Sequence, residues 1–156
     1  EEAAIEAVSP FDTGAIGWLI YRDDDEMRQK VKEAIRLCLA DGFRKGDLAI
    51  VSYRGRDNSH LLMLNQIGAS TLRTFSGRYD LFGQPLYSTG EILLETVYRF
   101  KGQAAPAVIF AEIDFDDLDE QARRKLFVGA TRAMLKLVLV VSERAARHLQ
   151  HLIDRC

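Results

Sequence analysis

The chain has 156 residues, 47% of them hydrophobic, with 11 Gly and only 3 Pro, a size and composition that suit one folded domain with a sizeable core. Its 21 basic and 23 acidic residues leave a formal charge of -2, which excludes a wholly electrostatic nucleic-acid binder but not a groove where a few arginines act locally. No apolar run approaches the roughly 20 residues of a membrane span. The first residue is Glu1, and residues 1–8 lack the positive and apolar regions of a leader, so the expectation is an excised piece of a longer, cytoplasmic protein with no membrane partner. Cys38 and Cys156 lie far apart and neither has a Cys or His at metal spacing; a reduced protein without structural zinc is expected. His148 and His151, at i,i+3 on the last helix, read as a surface pair.

In chain order, residues 17–22 (GWLIYR) read as a strand. Residues 24–40 place Met27, Val31, Ile35 and Cys38 on one helical stripe, with acids in the first turn and Gly42 as the stop. Residues 47–53 (DLAIVSY) form a compact apolar strand. Ser59 is placed to cap a short helix through Gln66, closed by Gly68, and residues 71–75 form a further strand. Residues 77–90 are irregular, with Gly77, Gly83, Pro85 and Gly90 among Tyr79, Phe82 and Tyr87. This excursion either stacks on bases through aromatics interleaved with Arg73 and Arg78 or, the favoured reading, merely fastens a loop to the domain. Strands follow at 92–98, 107–113 (AVIFAEI) and 137–141 (LVLVV). The last two are apolar throughout, as in a parallel sheet covered on both faces. Asp117 and Glu120 have capping-box spacing before a helix running to about Met134. Ser142 caps the last helix, whose Leu149, Leu152 and Ile153 point inward.

Strands alternating with helices predict an α/β protein, a three-layer α/β/α sandwich around a mainly parallel sheet, as a single domain over 1–156 with its core at about 17–153. Function in such sheets sits at the carboxyl ends of the strands. Three polar clusters are expected there: residues 54–58, residues 99–103, and the helix bearing Arg123, Arg124 and Arg132. In the second, Thr96, Arg99 and Lys101 are candidate phosphate contacts, with Gly102 permitting close backbone approach; the plain alternative is a solvated turn. In the third, four cations fall within residues 123–132. Arg124 and Arg132, at i and i+8, lie near one helix side, with small Gly129 and Ala130 between them leaving room for a partner surface.

Together the two clusters resemble the second motor domain of superfamily 1 helicases of the UvrD/Rep type. Thr96, Tyr98, Arg99, Lys101 and Gly102 follow the family's motif V pattern T-x-H-x-x-K-G-x-E. Residues 123–133 (RRKLFVGATRA) follow its motif VI, roughly E-x-R-R-L-x-Y-V-x-x-T-R-A, and residues 47–51 are similar to an earlier strand of the same domain. The resemblance implies a RecA-like P-loop NTPase fold lacking the phosphate loop itself. It implies that Arg132 reaches a γ-phosphate across an interdomain cleft, supported by Arg124; that Lys101, Gly102, Gln103 and Thr131 lie by the nucleotide; and that Thr96, Tyr98 and Arg99 touch the nucleic-acid backbone. ATP and Mg²⁺ then belong to the full-length parent, with none expected on the isolated domain. The partners implied are the N-terminal ATPase motor domain of the same chain and single-stranded DNA, with RNA as the alternative.

The family glutamate after K-G-x is Ala104 here and its histidine is Tyr98. The span 68–91 has no room for the large accessory domain many members insert, which suggests a reduced form. No G-x-x-x-x-G-K-[ST] occurs, and Asp114, Asp116 and Asp117 are read as a capped, solvated turn. Two further readings stand beside the motor half. One is a nucleotide-gated binding module with little unwinding; the other is an α/β interaction domain of response-regulator-like architecture.

Overall fold

The computed structural model describes residues 16–154, with side chains described through His151; the inward-facing roles expected of Leu152 and Ile153 lie outside the described side chains. The elements are β1 (Ile16–Tyr21), α1 (Asp24–Ala40), β2 (Leu48–Ser52), β3 (Gln66–Ile67), β4 (Ser70–Tyr79), β5 (Pro85–Tyr87), β6 (Ile92–Thr96), β7 (Ala105–Ile113), α2 (Glu120–Ala130), β8 (Ala133–Ser142) and α3 (Glu143–Asp154). One sheet runs in the order β1-β8-β7-β2-β6-β4-β3, with β5 beside β4. The six strands from β1 to β4 in that order pair in parallel, and only the short β3 and β5 run antiparallel to β4. The expected α/β architecture with a mainly parallel sheet is therefore observed.

Two apolar layers flank the sheet. On one face, Met27, Val31, Ala34, Ile35 and Cys38 of α1 pack on Ile50, Leu94, Ile109 and Val140. On the other, Ala122 of α2 and Ala145 and Ala146 of α3 pack on Val51, Val108, Phe110, Leu139 and Val141. β7 lies between β8 and β2 and contributes to both layers, which is why its sequence is apolar without alternation. Pro106 falls at a register irregularity between Ala105 and Ala107, where its missing N–H removes no regular ladder bond. Burial pushes the Cys38 thiol up to about 11, leaving it an unreactive core group. Among the described residues, no helix is long and apolar enough to cross a membrane.

Several local expectations are corrected. Ser59 does accept from Leu62 N at 3.2 Å, but it starts a single 3-10 turn, Leu61–Met63, after which the chain enters β3. Its hydroxyl proton goes at the same time to Glu112 at 2.5 Å, which ties this turn to β7. The irregular excursion is a β-ribbon: β4 continues to Tyr79 and pairs with β5, with a register shift between Phe75 and Tyr79. The N-cap of α2 is Asp119, whose Oδ1 accepts from Ala122 N at 2.8 Å, not Asp117. That helix ends at Ala130 instead of near Met134. Thr131 is its C-cap, and its Oγ1 turns back to Phe127 O at 2.8 Å as residue 133 pairs with Ala105 on β7.

Gly129 faces inward, not toward a partner. A Cβ there would lie 2.2 Å from the Phe110 ring, which is fully buried. α2 thus rides on β7 at a separation only a hydrogen side chain permits.

Asp114 is not a solvated turn residue. Its carboxylate accepts from Ser142 Oγ at 2.6 Å and from Arg144 Nε at 2.7 Å, with Arg54 Nη2 at 3.4 Å. Burial alone raises its pKa, but Arg144, Ser142 and Arg54 outweigh burial and hold it below the ordinary aspartate value.

Two tests follow from this packing. Gly129→Ala should lower stability by about 1–3 kcal/mol, seen as an earlier urea midpoint at unchanged m-value; an unchanged midpoint would mean α2 can rise off Phe110 freely. Asp114→Asn should cost about 2 kcal/mol at neutral pH. Because the folded-state pKa is depressed, that stabilisation is present above the unfolded value of about 4 and is lost as pH falls through the folded one. Melting curves of wild type and variant should therefore converge in acid; a gap independent of pH would remove the charge from the explanation.

Candidate functional site

The sequence-predicted residues fall into three places. The first is the amino edge of β7 and β8. β7 begins where Ala105 N donates to Arg132 O at 3.1 Å, which ties the end of motif V to the end of motif VI. Arg132 Nη2 donates to Thr131 Oγ1 at 3.2 Å, and Nη1 reaches Gln103 O at 3.5 Å. Arg132 Nε is buried and donates to nothing among the described residues. Gln103 N donates to Phe100 O at 3.0 Å, closing a turn in which Gly102 has φ +85, a left-handed value that glycine takes at no steric penalty. Gln103, Thr131 and Arg132 are thus brought together, with Gly102 next to them in the turn. They stand at the amino ends of β7 and β8, which corrects the expectation that this cluster lies at the carboxyl ends. The reason is that α2 leaves the top of β7 and descends, delivering Arg132 to the bottom of β8. Arg132 is also past the helix end, so it does not share a helix side with Arg124.

The second place is a cleft of about 150 Å³ between α2 and the segment after β6, lined by Tyr98, Lys101, Arg124, Lys125 and Val128 among others. Tyr98 is 56% exposed. Lys125 was not singled out from the sequence, yet it organises this cleft. Its Nζ donates to Tyr98 Oη at 3.0 Å and lies 4.0 Å from the centre of the Tyr53 ring, a cation–aromatic pairing. The only hint in the sequence was its place between Arg124 and Leu126 on an amphipathic helix. Arg124 pairs with Glu120 at 3.0 Å on the surface, a contact that contributes little and leaves its guanidinium available.

The third place is the carboxyl end of β6. Thr96 is buried, and its Oγ1 accepts from Arg99 N at 3.2 Å. The Arg99 guanidinium lies 3.7 Å from the centre of the Phe75 ring on β4. It also stands 3.6 Å from Glu95, a carboxylate that is 2% exposed. Glu95 accepts in turn from Tyr87 Oη on β5 at 2.5 Å, and burial followed by this bond raises the Tyr87 pKa. The ribbon of β4 and β5 therefore holds Arg99 from the side. Neither Thr96 nor Arg99 stands free toward solvent as a simple phosphate contact would.

A further buried carboxylate escaped the sequence reading. Glu112 interrupts the apolar run of β7, has φ +59, and accepts from Ser52 Oγ at 2.8 Å, Ser59 Oγ at 2.5 Å and His60 N at 2.8 Å. It fastens the loop after β2, which carries Arg54 and Arg56.

Residues 91–140 match the family model described as UvrD-like helicase C-terminal domain, a span running from the start of β6 into β8 and including both motifs. A solved structure described as the C-terminal domain of a possible DNA helicase from Lactobacillus plantarum WCFS1 superposes with a TM-score of 0.57 at 16% identity, covering 87% of this chain and 80% of that one. At that identity the likeness is one of fold. No curated protein matches the chain. The fold is that of an α/β domain, and its motif segment is similar to the helicase C-terminal family. The resemblance read from motifs V and VI stands, and residues 91–140 carry the similarity to a UvrD-like helicase C-terminal domain.

The Tyr87→Phe variant tests the hold on Arg99. Loss of the hydroxyl leaves a buried carboxylate one donor short, and stability should fall by about 1–3 kcal/mol. Amide exchange at residues 97–103 should accelerate with it. Unchanged exchange there would show that the ribbon does not brace the motif V segment.

Proposed function

We propose that the chain is the C-terminal half of an ATP-dependent nucleic-acid helicase or translocase with a RecA-like fold, acting in the cytoplasm against an N-terminal motor domain of the same parent. The observation that carries this reading is the seat of Arg132, where motif V and motif VI meet. Its guanidinium is anchored by Gln103 O and Thr131 Oγ1, while its buried Nε has no partner among the described residues. An arginine so held is short of acceptors, and a phosphate oxygen brought up by domain closure would supply them.

ATP and Mg²⁺ would be held by the N-terminal domain, since no phosphate loop occurs in this sequence; the bound nucleotide supplies the phosphoryl group and the metal its charge neutralisation. This chain's residues orient and stabilise. Arg132 is a fixed cation for charge that develops on the transferred group, Thr131 fixes its direction, and Gly102 and Gln103 shape the turn beside it. Lys101, Tyr98 and Arg124 line a cleft that a strand's backbone can enter, single-stranded DNA being the expected track. Thr96 and Arg99 act here by holding the motif V segment in shape.

The internal commitment of Thr96 and Arg99 also favours a second reading, a nucleotide-gated binding module whose closure signals without unwinding. Strand separation coupled to ATP turnover by the full-length parent would eliminate it.

In that parent, Arg132→Ala should lower single-turnover ATP hydrolysis by about 10³-fold, the lower end of what arginine fingers contribute, with a much smaller change in ATP affinity. Arg132→Lys should restore little, because lysine lacks the planar fork. Near-normal hydrolysis by the alanine variant, at saturating single strand, would leave Arg132 without a catalytic role.

A further inference from the structure

The ribbon formed by β4 and β5 lies outside the matched segment, and its surface is unlike the rest of the domain. Its turn is rigid: Asp80 Oδ1 accepts from Phe82 N at 2.8 Å and Gln84 N at 2.9 Å, and Asp80 N donates to Gln84 O at 2.9 Å. That stiff turn holds Leu81 fully exposed and Phe82 88% exposed. One face of the ribbon carries Phe75 with the Tyr79 ring edge-on at 5.4 Å and Tyr87 tilted at 5.9 Å. Arginines interleave with these rings: Arg73 lies 5.1 Å from the Tyr87 centroid and Arg56 5.5 Å from that of Phe75. Arg56 and Arg73 are exposed, and neither pairs with a carboxylate among the described residues.

Large apolar groups held out by a rigid turn mark a surface that something covers. Aromatic and arginine side chains are enriched at protein interfaces too, so a protein is the competing occupant. What favours a nucleic acid is that Arg56 and Arg73, without carboxylate partners among the described residues, lie at a ribbon that also exposes the Tyr79 and Phe82 rings, a match to a chain that alternates phosphates with flat bases. We infer that the β4–β5 ribbon is a binding surface for single-stranded nucleic acid, with bases stacking on Tyr79 and Phe82 and backbone phosphates meeting Arg56 and Arg73. The inference rests on the reading of this chain as half of a single-strand motor. It adds a contact rooted beside the motif V segment through Phe75, Arg99, Glu95 and Tyr87 and extending roughly 20 Å along β4 from Arg73 to Tyr79.

The test uses the full-length protein, a fluorescein-labelled (dT)20 strand, and a second strand carrying 2-aminopurine. The Arg56→Gln/Arg73→Gln variant should weaken binding about tenfold or more at low salt. It should also make the slope of log K against log salt shallower by about 1.4, two single-strand phosphate contacts at about 0.7 each. Phe82→Ala, at a site too exposed to disturb folding, should weaken binding about tenfold and relieve 2-aminopurine quenching. Strand-independent ATP turnover should not change in either. Wild-type affinity, salt slope and quenching in both variants would overturn the ribbon as a nucleic-acid surface while leaving the motor reading intact. An altered oligomeric state with unchanged strand binding would overturn it in favour of a protein contact. Failure of the wild-type protein to bind either strand would overturn both readings.

Discussion

Phe110 and Gly129 touch where residue 129 has no space for a side chain, and the positions of Lys125 and Arg132 depend on that contact. Phe110 is anchored in β7, between β8 and β2, and tilts against Tyr53 at 6.0 Å. The height of α2 above the sheet is set by this aromatic layer. That height places Lys125 over Tyr53 and beside Tyr98, and it fixes where the helix must end for β8 to pair with β7. Arg132 occupies the joint between the two. A packing constraint with no chemistry of its own thus determines where a charged group points.

The opposite edge is organised by polar groups inside the fold. Glu112 and Glu95 are each about as buried as the aliphatic core, and each is supplied with donors from a neighbouring segment. Burying a carboxylate is tolerable only with such partners, so each carboxylate specifies which loop lies against it. Glu112 selects the loop carrying Arg54 and Arg56, and Glu95 selects the β4–β5 ribbon. Asp114 does the same for the start of α3 through Ser142 and Arg144.

The main elements were legible because their signals are local. The stripe of α1, the apolar runs of β7 and β8, and the alternation of strand and helix are carried by neighbouring residues, and the bounds of α1 are those expected. Motif VI was legible for the same reason. What the sequence did not disclose depends on contacts between distant segments. The helix expected after Ser59 is a single turn because the chain is drawn at Gln66 and Ile67 into pairing with β4, a contact between segments. The excursion after Gly77 is a ribbon because Tyr87 and Phe75 find Glu95 and Arg99. The edge on which Arg132 stands follows from the downward path of α2, a matter of three-dimensional connection. Glu112 did offer a signal, a charge within an otherwise apolar strand, but nothing in the sequence names its donors.

The strand order carries a consequence for how the protein is made. β8 lies between β1 and β7, and Ile16 is paired with Leu137. Until residues 133–142 leave the ribosome, β1 has no strand partner among the described residues and β7 presents an open, apolar edge. Closing the sheet needs contacts across more than a hundred residues, so its entropy is repaid late. The nascent chain must carry unfinished β-structure while residues 22–132 are made, in the state where edge pairing with other chains is most damaging.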